Sequence, residues 1–128
     1  MVERTLLIVE DETTVRHLFK ELFEKEGYRV VMAENGEEAL AILNKQRIMV
    51  MFLDLKLPGM DGVQLCREIK KAQPISIIYA VTAYASLFQL ADCLESGFND
   101  YFIKPVKTKV LYRAARYAFE KLDRWSTK

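Results

Sequence analysis

Residues 48–62 read IMVMFLDLKLPGMDG. Six apolar residues run without interruption into Asp54, and a Pro-Gly turn follows at Pro58 and Gly59. An apolar run with no polar alternation is what a strand covered on both faces requires, and such strands belong to parallel sheets flanked by helices. The carboxylate at its end then needs a reason, because a charge at the rim of a core costs free energy unless it is paired or used.

Outward from this run, short strand-like stretches alternate with longer helical ones. TLLIV (5–9) predicts a strand. TVRHLFKELFEKEG (14–27) predicts a helix whose Val15, Leu18, Phe19, Leu22 and Phe23 recur at helical spacing and stop at Gly27. YRVVMA (28–33) predicts a second strand. NGEEALAILNK (35–45) predicts a helix capped by Asn35, with Glu38 three residues on as in a capping box. After the central strand a helix is expected from about Gly62 to Ala72, and SIIYAVT (76–82) repeats the buried-strand pattern. Ser86 and Gln89 form a second box-like helix start, and that helix closes at Gly97. DYFI (100–103) makes a short fifth strand, and Val110 to about Trp125 the last helix. Strict alternation of strand and helix predicts an α/β domain, a doubly wound five-stranded parallel sheet with right-handed crossovers and helices on both faces.

The bulk numbers agree with one domain. The chain has 128 residues, 51% hydrophobic, enough for one self-supporting core and no more. Lys and Arg number 19 against 18 Asp and Glu, so no global field points to direct nucleic-acid or membrane binding. The N-terminal LLIV is too short for a signal peptide and is closed by acids, and no stretch reaches the roughly 18 apolar residues of a membrane span, so a cytoplasmic protein is expected. Cys66 and Cys93 stand in separate segments without metal-ligand spacing and read as small buried hydrophobes in a reducing compartment.

In an open parallel sheet, ligands bind beyond the carboxyl ends of the strands where the strand order reverses. Those ends supply Glu10 and Asp11 after the first strand, Asp54 after the third, Thr82 after the fourth and Lys104 after the fifth. Singly, each has an ordinary structural reading; together, three carboxylates, a hydroxyl and an amine converge on one edge. Two like charges about 4 Å apart repel by roughly 4 kcal/mol at an effective dielectric of 20, so positive charge must offset them. Lys104 supplies part of it, and Mg²⁺, which takes one or two carboxylates and keeps several waters, is the natural remainder. An aspartate beside a hard cation and an ammonium can act as a nucleophile on phosphorus, giving an aspartyl phosphate.

LLIVEDE, MFLDLKLPGMDG, VTAYA and DYFIKPV, in this order, resemble the receiver domain of two-component response regulators, from about Thr5 to Trp125. The resemblance implies a flavodoxin-like sheet of strand order 2-1-3-4-5 and a single receiver domain spanning residues 1–128. It implies that Asp54 is the phosphoacceptor from a histidine kinase or histidine phosphotransfer protein. Asp11, Asp54 and the backbone carbonyl of Lys56 would bind Mg²⁺, with Glu10 helping through water. Thr82 and Lys104 would hold the phosphoryl oxygens, Thr82 and Tyr101 would be the switch residues, and Lys104–Pro105 matches a dipeptide that is often cis. The expected downstream partner is an output protein or domain, with homodimerisation or docking through the fourth helix, fifth strand and fifth helix. Two positions depart from the common pattern: Glu10 stands in place of Asp, and Phe98 in place of a small Ala.

Other readings fit less well. A flavin phosphate would be repelled by EDETT (10–14), and an aspartyl-phosphate phosphatase would want an acid two residues after Asp54, where Lys56 stands. An N-terminal receiver of a larger regulator, or a docking module that takes no phosphate, are alternatives within the family. His17, between Val15 and Leu18, reads as an exposed bystander. Lys56 and Tyr84 each lie two residues beyond a site residue, so period-two geometry aims both toward one mouth. Neither can orient an attacking water as a carboxylate or amide would, so slow self-dephosphorylation is expected.

Overall fold

The computed structural model describes residues 4–83 and 90–126. The expectations placed on Tyr84, Ser86 and Gln89 lie outside the described residues. The elements alternate as β1 (Thr5–Val9), α1 (Thr13–Lys25), β2 (Arg29–Ala33), α2 (Gly36–Lys45), β3 (Val50–Leu53), α3 (Gly62–Ala72), β4 (Ile77–Thr82), α4 (Leu90–Ser96), β5 (Asp100–Ile103) and α5 (Thr108–Ser126). The strands form one parallel sheet of order β2-β1-β3-β4-β5, the expected doubly wound arrangement.

Period-two alternation divides the core between the two faces of this sheet. Leu7, Val9, Met51 and Leu53 pack with Ala39, Leu65, Cys66 and Ile69 of α2 and α3. Leu6, Ile8, Val50 and Phe52 pack with Phe19 and Phe23 of α1 and with Leu111, Ala115 and Phe119 of α5. All four residues of β3 are buried, as the apolar run requires. Phe98 is buried in the first cluster, so the large ring is absorbed by the packing beside α4. Cys66 and Cys93 are free and buried, and burial pushes the Cys66 thiol up to about 12. His17 is exposed.

Two local details differ from expectation. Asn35 does cap α2, its side chain accepting from the Glu38 N–H at 2.8 Å, but the Glu38 carboxylate accepts from the N–H of Glu34 rather than from that of the capping residue. The reciprocal bond therefore clasps the turn before the helix. On α1, Leu18 is 50% exposed, whereas Arg16 is buried. Val15, Phe19, Leu22 and Phe23 face the core as expected, and only Leu18 departs, while Arg16 turns inward because its guanidinium finds acceptors in the β1–α1 turn.

Candidate functional site

The sheet register decides which strand ends meet. Val9 of β1 pairs with Leu53 of β3, so Glu10 and Asp54 leave neighbouring strands at the same level. The Asp54 N–H donates to Val9 O at 2.9 Å, and the Glu10 N–H donates to Ala33 O at 3.1 Å, carrying the ladder one residue past each strand. On the other side Thr82 pairs with Ile103, and the Lys104 N–H donates to Thr82 O at 2.9 Å. Lys104 thus starts two strands away from Asp54, and its long stem spans β4. Its ammonium donates to Glu10 Oε1 at 2.5 Å and to Asp54 Oδ2 at 3.2 Å.

Both acids of this trio are buried, and Lys104 is mostly so. Burial pushes the Glu10 carboxyl up, assisted by the Asp54 charge, and the hydrogen bonds from Lys104 and the Glu12 N–H only partly oppose it. Burial alone would pull the Lys104 ammonium down; its Glu10 hydrogen bond and the charges of Asp54 and Glu10 outweigh that and leave it raised. The remaining oxygens of the pair are also used: Glu10 Oε2 accepts from the Glu12 N–H at 3.1 Å and Asp54 Oδ1 from the Lys56 N–H at 3.2 Å. Among the described residues, no buried side-chain polar atom lacks a hydrogen-bond partner.

Glu10, Asp11 and Asp54 each offer a carboxylate oxygen, and the three oxygens lie within 4.8 Å of one another. Oxygens on opposite corners of a Mg²⁺ octahedron stand about 4.2 Å apart, so this spacing suits one hard cation with small adjustment. Charge agrees: three carboxylates and one ammonium leave a net charge of minus two, which a dication cancels. These residues line a cleft of about 560 Å³ together with Lys56, Leu57, Pro58 and Ala83.

Not every predicted residue stands in that cleft. Thr82 is fully buried at the end of β4 and is absent from the lining. Tyr101 is half-buried against the α2–α3 core and faces a separate groove with Ile103, Pro105 and Val106. Lys56 does line the cleft, but β3 ends at Leu53, so the bend after Asp54 places it there and strand alternation does not. The Lys104–Pro105 peptide is cis.

Two residues of the site escaped sequence reasoning. Arg16 donates to Glu10 O at 2.8 Å and to Asp11 O at 3.2 Å; the signal was its helical spacing from Phe19 and Phe23, beside an acidic turn. Gly62, which opens α3 behind the Asp61 cap, donates its N–H to Leu55 O at 2.8 Å against the backbone of Asp54. A glycine in the first position of a helix was its only sign.

With this geometry in view, comparison with known proteins gives one answer. A family model for the response regulator receiver domain matches residues 6–116. The chain belongs to that family. This receiver domain is 37% identical over 105 residues to the sporulation initiation phosphotransferase F of Bacillus subtilis, covering 82% of the chain and 85% of that relative. It is 36% identical over 123 residues to the transcriptional regulatory protein AfsQ1 of Streptomyces coelicolor, covering 96% of the chain and 54% of AfsQ1. The chain thus spans about half the length of several of the curated relatives it matches. Among solved structures, the receiver domain of sensor histidine kinase PA1611 from Pseudomonas aeruginosa PAO1, with a magnesium ion coordinated in its active-site cleft, superimposes with a TM-score of 0.83 at 30% identity, covering 91% of this chain and 98% of that one. No helix among the described residues is long and apolar enough to cross a membrane.

Proposed function

We propose that the domain is a phosphoacceptor of a two-component or phosphorelay system, with Asp54 as the acceptor and a histidine kinase or histidine phosphotransfer protein as donor. The observation that carries this is the Asp54 carboxylate, buried at the end of the central strand yet open to a cleft where an ammonium stands 3.2 Å away. In this reading an Asp54 oxygen attacks phosphorus in line; the new P–O bond forms as the P–N bond to imidazole breaks, and the bonding pair stays on the released nitrogen, which can then take up a proton. Asp11, Asp54 and the Lys56 carbonyl would hold Mg²⁺, with Glu10 acting through water, and the ion would neutralise charge on the transferring oxygens. Lys104 supplies the second positive charge, and the hydroxyl of Thr82 binds the new phosphoryl group after turning toward the cleft.

Intact-mass spectrometry after incubation with Mg²⁺ and acetyl phosphate tests the assignment. Wild type should gain one phosphoryl mass, while Asp54→Asn, or wild type in EDTA, should gain none. Equal labelling of Asp54→Asn would refute it.

Movement of Thr82 is the trigger in this reading, and Tyr101 follows by turning into the space vacated, so that the α4–β5–α5 face changes shape. That face has apolar surface to offer a downstream output protein, an output domain or a second copy: Leu94 and Ile103 are each about half-exposed. The domain turns over no separate substrate, and its only reaction besides phosphotransfer is slow self-dephosphorylation. Lys56, which lines the cleft, would set that lifetime by occupying the water's approach without orienting it, while the matching role expected of Tyr84 lies outside the described residues. Lys56→Asn should therefore shorten the phosphoryl half-life severalfold in a decay assay; an unchanged half-life would remove Lys56 from this role. A cytoplasmic location fits the two buried free thiols, Cys66 and Cys93.

A further inference from the structure

We propose that Arg16 is a positioning residue of the acid site, setting the Glu10 carboxylate through the Asp11–Glu12 peptide. The inference rests on the Mg²⁺ reading given above. The turn from β1 into α1 carries three consecutive acids, Glu10, Asp11 and Glu12, whose mutual repulsion would spread it. Nor does a side-chain cap hold the start of α1: Glu12 occupies the N-cap position without a capping hydrogen bond.

Arg16 takes over that task from within the helix. Its guanidinium, in a side chain 7% exposed, grips two successive main-chain carbonyls, Glu10 O at 2.8 Å and Asp11 O at 3.2 Å, and also reaches the Thr13 hydroxyl. Those bonds consume carbonyls and leave the carboxylates for the cleft. The second bond has a further geometric effect. In a trans peptide the C=O and N–H point in opposite directions. Drawing Asp11 O toward Arg16 therefore turns the Glu12 N–H away from it, and that N–H donates to Glu10 Oε2 at 3.1 Å. The other Glu10 oxygen receives Lys104. A chain of contacts thus runs from Arg16 through one peptide plane to both the acid and the ammonium of the site. Glu10 gains most from such a constraint, since its stem has one more rotatable bond than the Asp common at this position.

Charge and geometry make opposite predictions for this residue. As a cation near three carboxylates, Arg16 should repel a divalent ion, so on Coulombic grounds alone its loss would tighten metal binding. As a positioning residue its loss should weaken binding, by about tenfold or more, as for residues that orient metal ligands. Arg16→Lys keeps the charge but loses the planar guanidinium, whose Nη1 donates to both carbonyls while Nη2 reaches the Thr13 hydroxyl and fixes its plane, and Arg16→Met loses both charge and plane. Mn²⁺ binding followed by electron paramagnetic resonance, with Mg²⁺ as competitor, measures the dissociation constant directly on the full chain. Both variants should bind at least about tenfold more weakly than wild type. Phe19→Leu, which loosens the same face of α1 without touching the turn, should bind as wild type does.

Unchanged or tighter binding in Arg16→Lys would overturn the proposal, and so would equal weakening in Phe19→Leu. A second measurement needs no variant: on adding Mg²⁺ to wild type, the Arg16 side-chain Nε resonance should shift with the same midpoint as the Glu12 amide. A static Arg16 signal would also overturn it. If wild type itself binds no Mn²⁺ that Mg²⁺ displaces, the metal reading fails instead, which keeps the two failures apart.

Discussion

Gly62→Ala is expected to destabilise the domain by about 3 kcal/mol, the upper end of what an overpacked site costs, and to weaken metal binding and phosphorylation with it. A Cβ at this position would stand 2.3 Å from Asp54 O, 2.7 Å from Leu55 Cα and 3.0 Å from Asp54 C. Every one of these atoms is backbone, so no rotamer change relieves the clash. The helix cannot simply back away, because the Gly62 N–H bonds Leu55 O and the Asp61 side chain accepts from the Gln64 N–H at 2.8 Å. Whatever yields must include the peptide that carries the proposed phosphoacceptor. Gly36→Ala is the matched comparison: its nearest neighbour is the flexible Met60 side chain, with sulfur at 3.1 Å, and alanine suits the first turn of α2. That variant should stay within about 1 kcal/mol of wild type. Urea unfolding of the two variants decides it, and a loss below about 1 kcal/mol for Gly62→Ala would show that the α3 start is not held against Asp54.

Lys104→Ala should produce the second large effect, one that depends on divalent ion. The ammonium is the counter-charge of two buried carboxylates, and removing one partner of a buried ion pair costs about 3–5 kcal/mol. Lys104 retains some exposure and Glu10 is already inclined to take up a proton, so the lower end is expected in EDTA. Mg²⁺ should restore much of that loss, since the variant offers it three carboxylates with no competing ammonium. The stabilisation by Mg²⁺, read as the change in urea midpoint between EDTA and saturating ion, should therefore be larger in Lys104→Ala than in wild type. Equal or smaller stabilisation would mean that Lys104 is not the principal counter-charge. The variant should also accept phosphate without transmitting it, because the proposed tether between the phosphoryl group and β5 is gone.

Much of the fold was legible along the chain because each signal is local. The unbroken apolar run before Asp54 required a strand covered on both faces, and the alternating periods around it left only a doubly wound parallel sheet. Asn35, Gly27 and Gly97 marked helix ends because caps and positive-φ positions depend on one or two residues. The convergence of Glu10, Asp11, Asp54 and Lys104 followed from topology alone, since in a parallel sheet all strand ends share an edge.

Reach and rotation were decided by the folded structure. Whether α1 turns Leu18 or Arg16 inward cannot be read from its spacing, because both choices keep Phe19 and Phe23 buried; the carbonyls of the neighbouring turn select the arginine. Glycine at 62 is required by a backbone approach from a residue eight positions earlier, which no pattern of polarity records. The Glu10–Lys104 pair joins residues 94 apart, and depends on a lysine stem long enough to cross β4. Polarity and period belong to a residue and its near neighbours in sequence. Contact distance belongs to the register of strands that meet only after the chain has folded.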